Sequence, residues 1–155
     1  MRNCGDCVLC CYFTSPPEIK KSEGEWCKYC IKIEGCSIYE NRPESCKNFN
    51  CLWKKQVQIP ESLRPDKCGV MFELPDYCKT YIGYIDPERP DIWREANIIA
   101  LIQKILNVGH SVLIYRGILY NKIFFLSNGM TEIEVKQDLK NAFDEYKSEG
   151  RIVWL

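Results

Sequence analysis

The sequence predicts an α+β protein in which an N-terminal cysteine-rich, metal-stapled module packs on a small antiparallel sheet with two helices, in the order ββαββα. Three observations carry this expectation. Nine of the eleven cysteines precede residue 52, and the composition changes sharply there. Beyond residue 67, short runs of β-branched and aromatic residues are bounded by turn signals. Two longer segments repeat apolar residues at helical spacing between recognisable start and stop residues. The expected division is a cysteine-rich metal-binding module over 1–55 and a small α+β domain over 56–155.

Residues 1–51 are punctuated by "TSPPE", "SEGE", "IEGC" and "NRPES" and hold too few aliphatic side chains to build a core alone. Pro43 suits the first position of a short helix over 43–54, on which Cys46, Phe49 and Trp53 share a face. Cys51 falls off that face, so a break near Asn48–Asn50 would aim it inward. "CGVMFEL" (68–74) and "KTYIGYI" (79–85) predict two strands joined by a turn at "PDYC". "DIWREANIIALIQKILNVG" predicts a helix with Asp91 as N-cap and Gly109 as its stop. "SVLIYRG" and "KIFFLSNG" predict two more strands around a Gly117 turn. "TEIEVKQDLKNAFDEYKSEG" predicts an amphipathic helix capped by Thr131, with Gly150 past its end. These elements suit a small antiparallel sheet with its helices on one face.

At 155 residues, 46% hydrophobic and 27% charged, the chain has the composition of a soluble globular protein. Its 21 basic and 21 acidic residues balance, and residues 1–51 carry seven of each sign. This flat balance disfavours nucleic acid and acidic membrane as partners. Met1-Arg2 runs straight into the cysteines without an apolar leader, and "IIALI" (98–102) is too short to span a bilayer. The expectation is a cytoplasmic protein with reduced thiols.

The odd cysteine count argues against a disulfide scaffold, and a disulfide between adjacent Cys10 and Cys11 would be strained. Metal accounts for the pattern better. Cys-x2-Cys is the shortest loop that lets two thiolates bind one ion at tetrahedral angles, and zinc takes four such ligands. The sequence contains Cys4-x2-Cys7, the overlapping Cys7-x2-Cys10, and Cys27-x2-Cys30, with Cys11, Cys36, Cys46 and Cys51 available to complete the sites. Nine sulfurs either leave one thiol spare beside two tetrahedra or bridge, as when nine cysteines hold three zinc ions. Iron–sulfur clusters also take four cysteines apiece, and spacing does not separate the two chemistries.

"CGDCVLCC", "EWCKYC", "GCSIYENRPESCKNFNCLW" and "IPESLRPDKCGVMF" together resemble the YkgJ-type cysteine-cluster family, a zinc- or iron-chelating domain with a Cys-x2-Cys-x2-Cys-Cys signature. The resemblance covers about residues 4–72. It implies metal chelation by Cys4, Cys7, Cys10, Cys11, Cys27, Cys30, Cys36, Cys46 and Cys51, and leaves out Cys68 and Cys78. Flagellin lysine N-methylase resembles the family distantly, but this sequence offers no methyl-donor site.

Arg42, four residues before Cys46, could donate to thiolate or a partner carboxylate, or be solvated. Trp26, Tyr29, Tyr39, Phe49 and Trp53 are expected to form a dry shell around the metal. His110, the only histidine, reads as a surface or capping residue. Cys68 and Cys78 read as small buried apolar residues. Phosphate loops, nucleophile elbows, zinc-protease motifs and nucleotide fingerprints are absent, and no ligand position stands open for a substrate.

The expected function is therefore metal binding in a structural, metal-handling or adaptor role, with two or more zinc ions and no assignable reaction. A protein partner is left open. Iron or an iron–sulfur cluster, in an enzyme or a modification protein, is the alternative. A zinc-ribbon module for nucleic acid is disfavoured by the charge balance. Structural zinc would supply most of the module's folding energy, on the order of 10 kcal/mol per ion.

Overall fold

Segments 70–73, 80–85, 111–115 and 123–125 pair into one sheet whose two faces organise the rest of the protein. The computed structural model describes residues 2–76, 78–115 and 122–148, which form a mixed α+β fold. In chain order the elements are α1 (Cys10–Phe13), β1 (Cys30–Ile31), β2 (Gly35–Cys36), α2 (Glu44–Asn48), α3 (Leu52–Lys55) and α4 (Pro65–Cys68). They are followed by β3 (Val70–Glu73), β4 (Thr80–Ile85), α5 (Ala96–Asn107), β5 (Ser111–Tyr115), β6 (Ile123–Phe125) and α6 (Glu132–Ser148). β1 and β2 form a separate two-stranded antiparallel hairpin.

The larger sheet has the order β3-β4-β5-β6. Its outer pairings are antiparallel, with Val70 opposite Ile85 and Val112 opposite Phe125. The central pair is parallel, with Thr80 opposite Ser111. The expected wholly antiparallel sheet is therefore corrected to a mixed one. The cause is α5: a helical crossover returns the chain to the same end of the sheet, and the next strand then runs parallel.

The helices do not share one face. Ile98, Ile102 and Ile105 of α5, spaced by four and three, pack with Val70, Phe72, Ile85, Val112 and Ile114. Val135 and Leu139 of α6 pack with the alternate set, Met71, Ile82, Tyr84, Leu113 and Tyr115. With period-two side chains, these sets point to opposite sides of the sheet. Both faces are covered, which is why β3 and β5 are buried at every position. The cysteine-rich segment contributes to both layers: Leu9 and Phe13 on the α6 side, Leu52 and Trp53 on the α5 side.

Several boundaries shift for local reasons. A 3-10 turn at Ile92–Arg94 follows Asp91, so Glu95 occupies the N-cap of α5. Gly109 takes φ +87° beyond the helix end. Thr131 and Glu134 form a reciprocal capping box at the start of α6: Thr131 N–H donates to Glu134 Oε2 at 2.7 Å, and Glu134 N–H to Thr131 Oγ1 at 3.2 Å. The helix expected over 43–54 is two short helices, with Pro43 as N-cap of the first and extended backbone at Phe49 and Cys51. The Gly117 turn and Gly150 lie outside the described residues.

Candidate metal centre

Backbone turns bring the cysteines together. Cys7 N–H donates to Cys4 O at 3.1 Å, and Cys30 N–H to Cys27 O at 2.9 Å, closing the two Cys-x2-Cys loops. Cys27 N–H reaches Cys11 O at 3.1 Å, docking the second loop on α1. α1 is itself anchored, because Leu9 and Phe13 are buried under the sheet. The β1–β2 hairpin sets Cys30 opposite Cys36. Gly35, at φ +114°, lies so close to the first loop that a Cβ there would stand 3.0 Å from Gly5 O. Cys46 rides on α2, which Glu18 holds by accepting from Ser45 N–H at 3.0 Å and Ser45 Oγ at 2.7 Å. The break after α2 makes Cys51 the N-cap of α3, its carbonyl accepting from the Lys54 and Lys55 N–H groups at 3.0 Å.

Seven thiols (Cys4, Cys7, Cys10, Cys11, Cys27, Cys36 and Cys46) line a cavity of about 50 Å³. An adjoining cavity of about 40 Å³ shares Cys4, Cys7, Cys10 and Cys46 and adds Cys51 and Lys54. Cys30 completes the set through Cys11, whose sulfur is within hydrogen-bonding reach of both Cys10 and Cys30. All nine are half-buried free thiols. They surround the space without converging: among the described residues, no three His, Cys, Asp or Glu side chains are gathered closely enough to hold a metal ion. In chemistry, though not in spacing, the donor set suits a soft divalent ion, since the polar lining is dominated by sulfur and no disulfide removes it.

Five of the thiols, Cys7, Cys10, Cys30, Cys46 and Cys51, are raised above the ordinary thiol range. Burial pushes Cys46 and Cys51 up to about 11 and raises Cys7 further. Cys10 is raised well above the usual thiol range by its hydrogen bond to Cys11 and then by burial, against the nearby charges of Arg42 and Lys54. Ligation would therefore release protons into solvent. Beside Cys7 lies Asp66; burial works against its ionisation, but Arg64 and the Cys7 thiol hold its carboxyl below the usual range.

Arg42 lines both cavities, yet its Nε donates to Tyr39 O at 2.7 Å and its guanidinium lies 3.7 Å from the Tyr39 ring centroid. Tyr29, Tyr39 and Phe49 line the larger cavity and Trp53 the smaller, whereas Trp26 stacks outside on Tyr12 and Lys32. His110 sits 3.2 Å from Lys79 O and edge-on to Tyr81. Cys68 and Cys78 are buried away from both cavities, with their sulfurs 3.3 Å from Val70 O and Thr80 O respectively.

Three participants escape sequence reasoning: Asp66, Arg64 and Lys54. Each looks like an ordinary surface charge, and only the tertiary contacts place it against the cysteines. The Arg-Pro-Asp run at 64–66, just before a cysteine, is the one local hint.

Compared with family models, curated proteins and solved structures, the chain matches none. Among the described residues no helix is long and apolar enough to cross a membrane.

Proposed function

We propose that this chain is a cysteine-cluster protein of the YkgJ type that binds two or more zinc ions through Cys4, Cys7, Cys10, Cys11, Cys27, Cys30, Cys36, Cys46 and Cys51, in a structural, metal-handling or adaptor role in the cytoplasm. One observation carries the reading: seven of these thiols line a single cavity, and the remaining two adjoin it at Cys10 and Cys11. Bound zinc would supply cross-linking of the loops over 4–51, which have few aliphatic side chains of their own. The chain's part is to bring the thiols together on α1, the hairpin and α2, and to keep water from them with Tyr29, Tyr39 and Phe49. Thiols rather than histidines or carboxylates select soft ions. The reading keeps two parts, 1–55 stapled by metal and 56–155 built as ββαββα, supported by the order of strands and helices after residue 70.

Protein purified without oxygen and analysed by native mass spectrometry, elemental analysis and visible absorption tests this. The expected result is two or more zinc ions per chain and no visible band. Iron with a broad visible band would replace zinc by the iron–sulfur alternative. Fewer than two bound ions would defeat the zinc reading.

A further inference from the structure

We infer that the pocket lined by Ser15, Glu23 and Glu73 binds a small primary alkylammonium ion, a site that goes beyond the metal reading and does not require it. α1 stops at Thr14, whose backbone is extended, and Pro17 opens a 3-10 turn, so Ser15 is carried between them. Ser15 is 2% exposed, and its hydroxyl has no hydrogen-bond partner among the described residues. A buried hydroxyl left unmatched costs free energy, so this one asks for a ligand atom. Met71 and Glu73 share one face of β3, the face that also bears Tyr84, and both line the same space. Glu23, from the "SEGE" loop, completes it. Cys46 and Phe49 are the wall it shares with the larger cysteine cavity.

The lining selects the ligand. The pocket holds about 40 Å³, and at about 10–15 Å³ per water-sized group it takes about three non-hydrogen atoms. The charge of Glu73 works against ionisation of Glu23, and a cation between the two carboxyls favours both. Phe13 and Tyr84, with ring centroids 5.1 Å apart, and Phe49 add aromatic faces that attract an organic ammonium. The three N–H donors of a primary ammonium match one hydroxyl and two carboxyls. None of the described lining residues is basic. Lys21 and Lys122 act on Glu23 through space, and Lys21 spends its ammonium on the carbonyls of Tyr12, Thr14 and Ser22 at 3.1, 2.5 and 2.7 Å. A hard metal ion fits less well. It takes about six oxygens, and among the described residues no three His, Cys, Asp or Glu side chains gather to hold one.

The full chain, as purified under reducing conditions, is titrated with ethylammonium chloride and followed by amide chemical shifts. The titration is run at pH 8, above the carboxyl range of Glu23. Three non-hydrogen atoms limit the affinity to about millimolar. Saturable shifts should appear at Ser15, Glu23 and Glu73. Ethanol, the uncharged analogue of the same size, and tetraethylammonium, too large for the pocket, should produce none. Glu23→Gln should bind about tenfold more weakly, as loss of one partner of a buried charged pair requires. Glu88→Gln, which removes an exposed acid paired with Lys32, should bind like wild type. Ser15→Ala should bind several-fold more weakly yet unfold at no lower temperature than wild type, because it deletes a hydroxyl that has no partner. A packing role for Ser15 would not produce that combination. Absence of saturable shifts, equal shifts with ethanol or tetraethylammonium, or wild-type affinity in Glu23→Gln overturns the inference. If Glu23→Gln does not fold, wild-type affinity in Ser15→Ala overturns it. Zinc content is measured separately, so either reading can fall without the other.

Discussion

Arg64 donates a 2.6 Å hydrogen bond to Asp6, which lies 58 positions earlier in the chain. The same guanidinium grips both oxygens of Asp66 at 2.7 Å and approaches Glu61 at 3.4 Å. Asp66 in turn accepts from the Cys7 thiol. One side chain, only 13% exposed, thereby ties the Cys4–Cys7 loop to α4, and α4 leads directly into β3. The cysteine loop is registered against the sheet by charge as well as by the burial of Leu9 and Phe13.

Arg64→Ala removes these contacts and leaves Asp66 partly buried without its cation. Hydrogen bonds to charged groups are worth about 1.5–3 kcal/mol each when buried, and exposure of Asp6 and Glu61 reduces their share. The expected loss is about 2 kcal/mol in urea unfolding of the metal-free chain. Arg64→Lys should recover only part of it, because an ammonium cannot hold Asp66 through two parallel bonds. A wild-type midpoint for Arg64→Ala would show that the loop is held by apolar contacts alone.

Gly83 lies in the middle of β4 opposite Phe72, and a Cβ there would stand 2.8 Å from Phe72 Cε1 and 2.9 Å from Ile114 Cδ1. The missing side chain gives the Phe72 ring room to cross the sheet beneath α5. Gly83→Ala should therefore destabilise by about 1–3 kcal/mol, the usual range for overpacking a filled core. Pairing it with Phe72→Leu should recover part of the loss in the same unfolding assay. If Phe72→Leu and Gly83→Ala are simply additive, the clash is not with that ring.

Most strands and both long helices were legible because their periodicity and end residues are local properties. Ile98, Ile102 and Ile105 mark a buried stripe, as do Val135 and Leu139. Nothing in a one-dimensional pattern says which face of the sheet a stripe meets, so the opposite placement of α5 and α6 was hidden. Strand periodicity likewise marks Thr80–Ile85 and Ser111–Tyr115 without saying that they run parallel. The nine clustered cysteines were visible from spacing; the charges around them were not. Lys54 in "LWKK" and Glu23 in "SEGE" look solvated, and their burial depends on segments far along the chain.

Glu23 lines a pocket with Ser15, Glu73 and Tyr84, and burial raises its carboxyl from 4.5 to about 7, against Lys21 and a hydrogen bond with Tyr115. Below pH 4.5 the group is protonated in both folded and unfolded chains and carries no penalty. Between 4.5 and 7 the unfolded chain releases the proton first, so the folded state loses stability as pH rises. Glu23→Gln removes this cost. Relative to wild type, it should gain little at pH 4.5 and up to about 3 kcal/mol at pH 8. Urea unfolding of both proteins at the two pH values checks this; a difference independent of pH would assign the effect to packing.

Single serine replacements separate the cluster from the core cysteines. Cys36→Ser or Cys46→Ser exchanges a soft ligand for a poor one, so the metal-to-protein ratio should fall and the loops over 4–51 should lose amide protection. Cys68 and Cys78 face Val70 O and Thr80 O inside the core. A serine hydroxyl there can donate to the same carbonyls, so Cys68→Ser and Cys78→Ser should cost no more than about 1–3 kcal/mol. Their metal content should match wild type. Elemental analysis on the four variants, prepared identically under reducing conditions, gives the comparison. Should Cys68→Ser shed metal as readily as Cys36→Ser, the ligand set reaches past α4 into the sheet, and the nine-cysteine assignment is wrong.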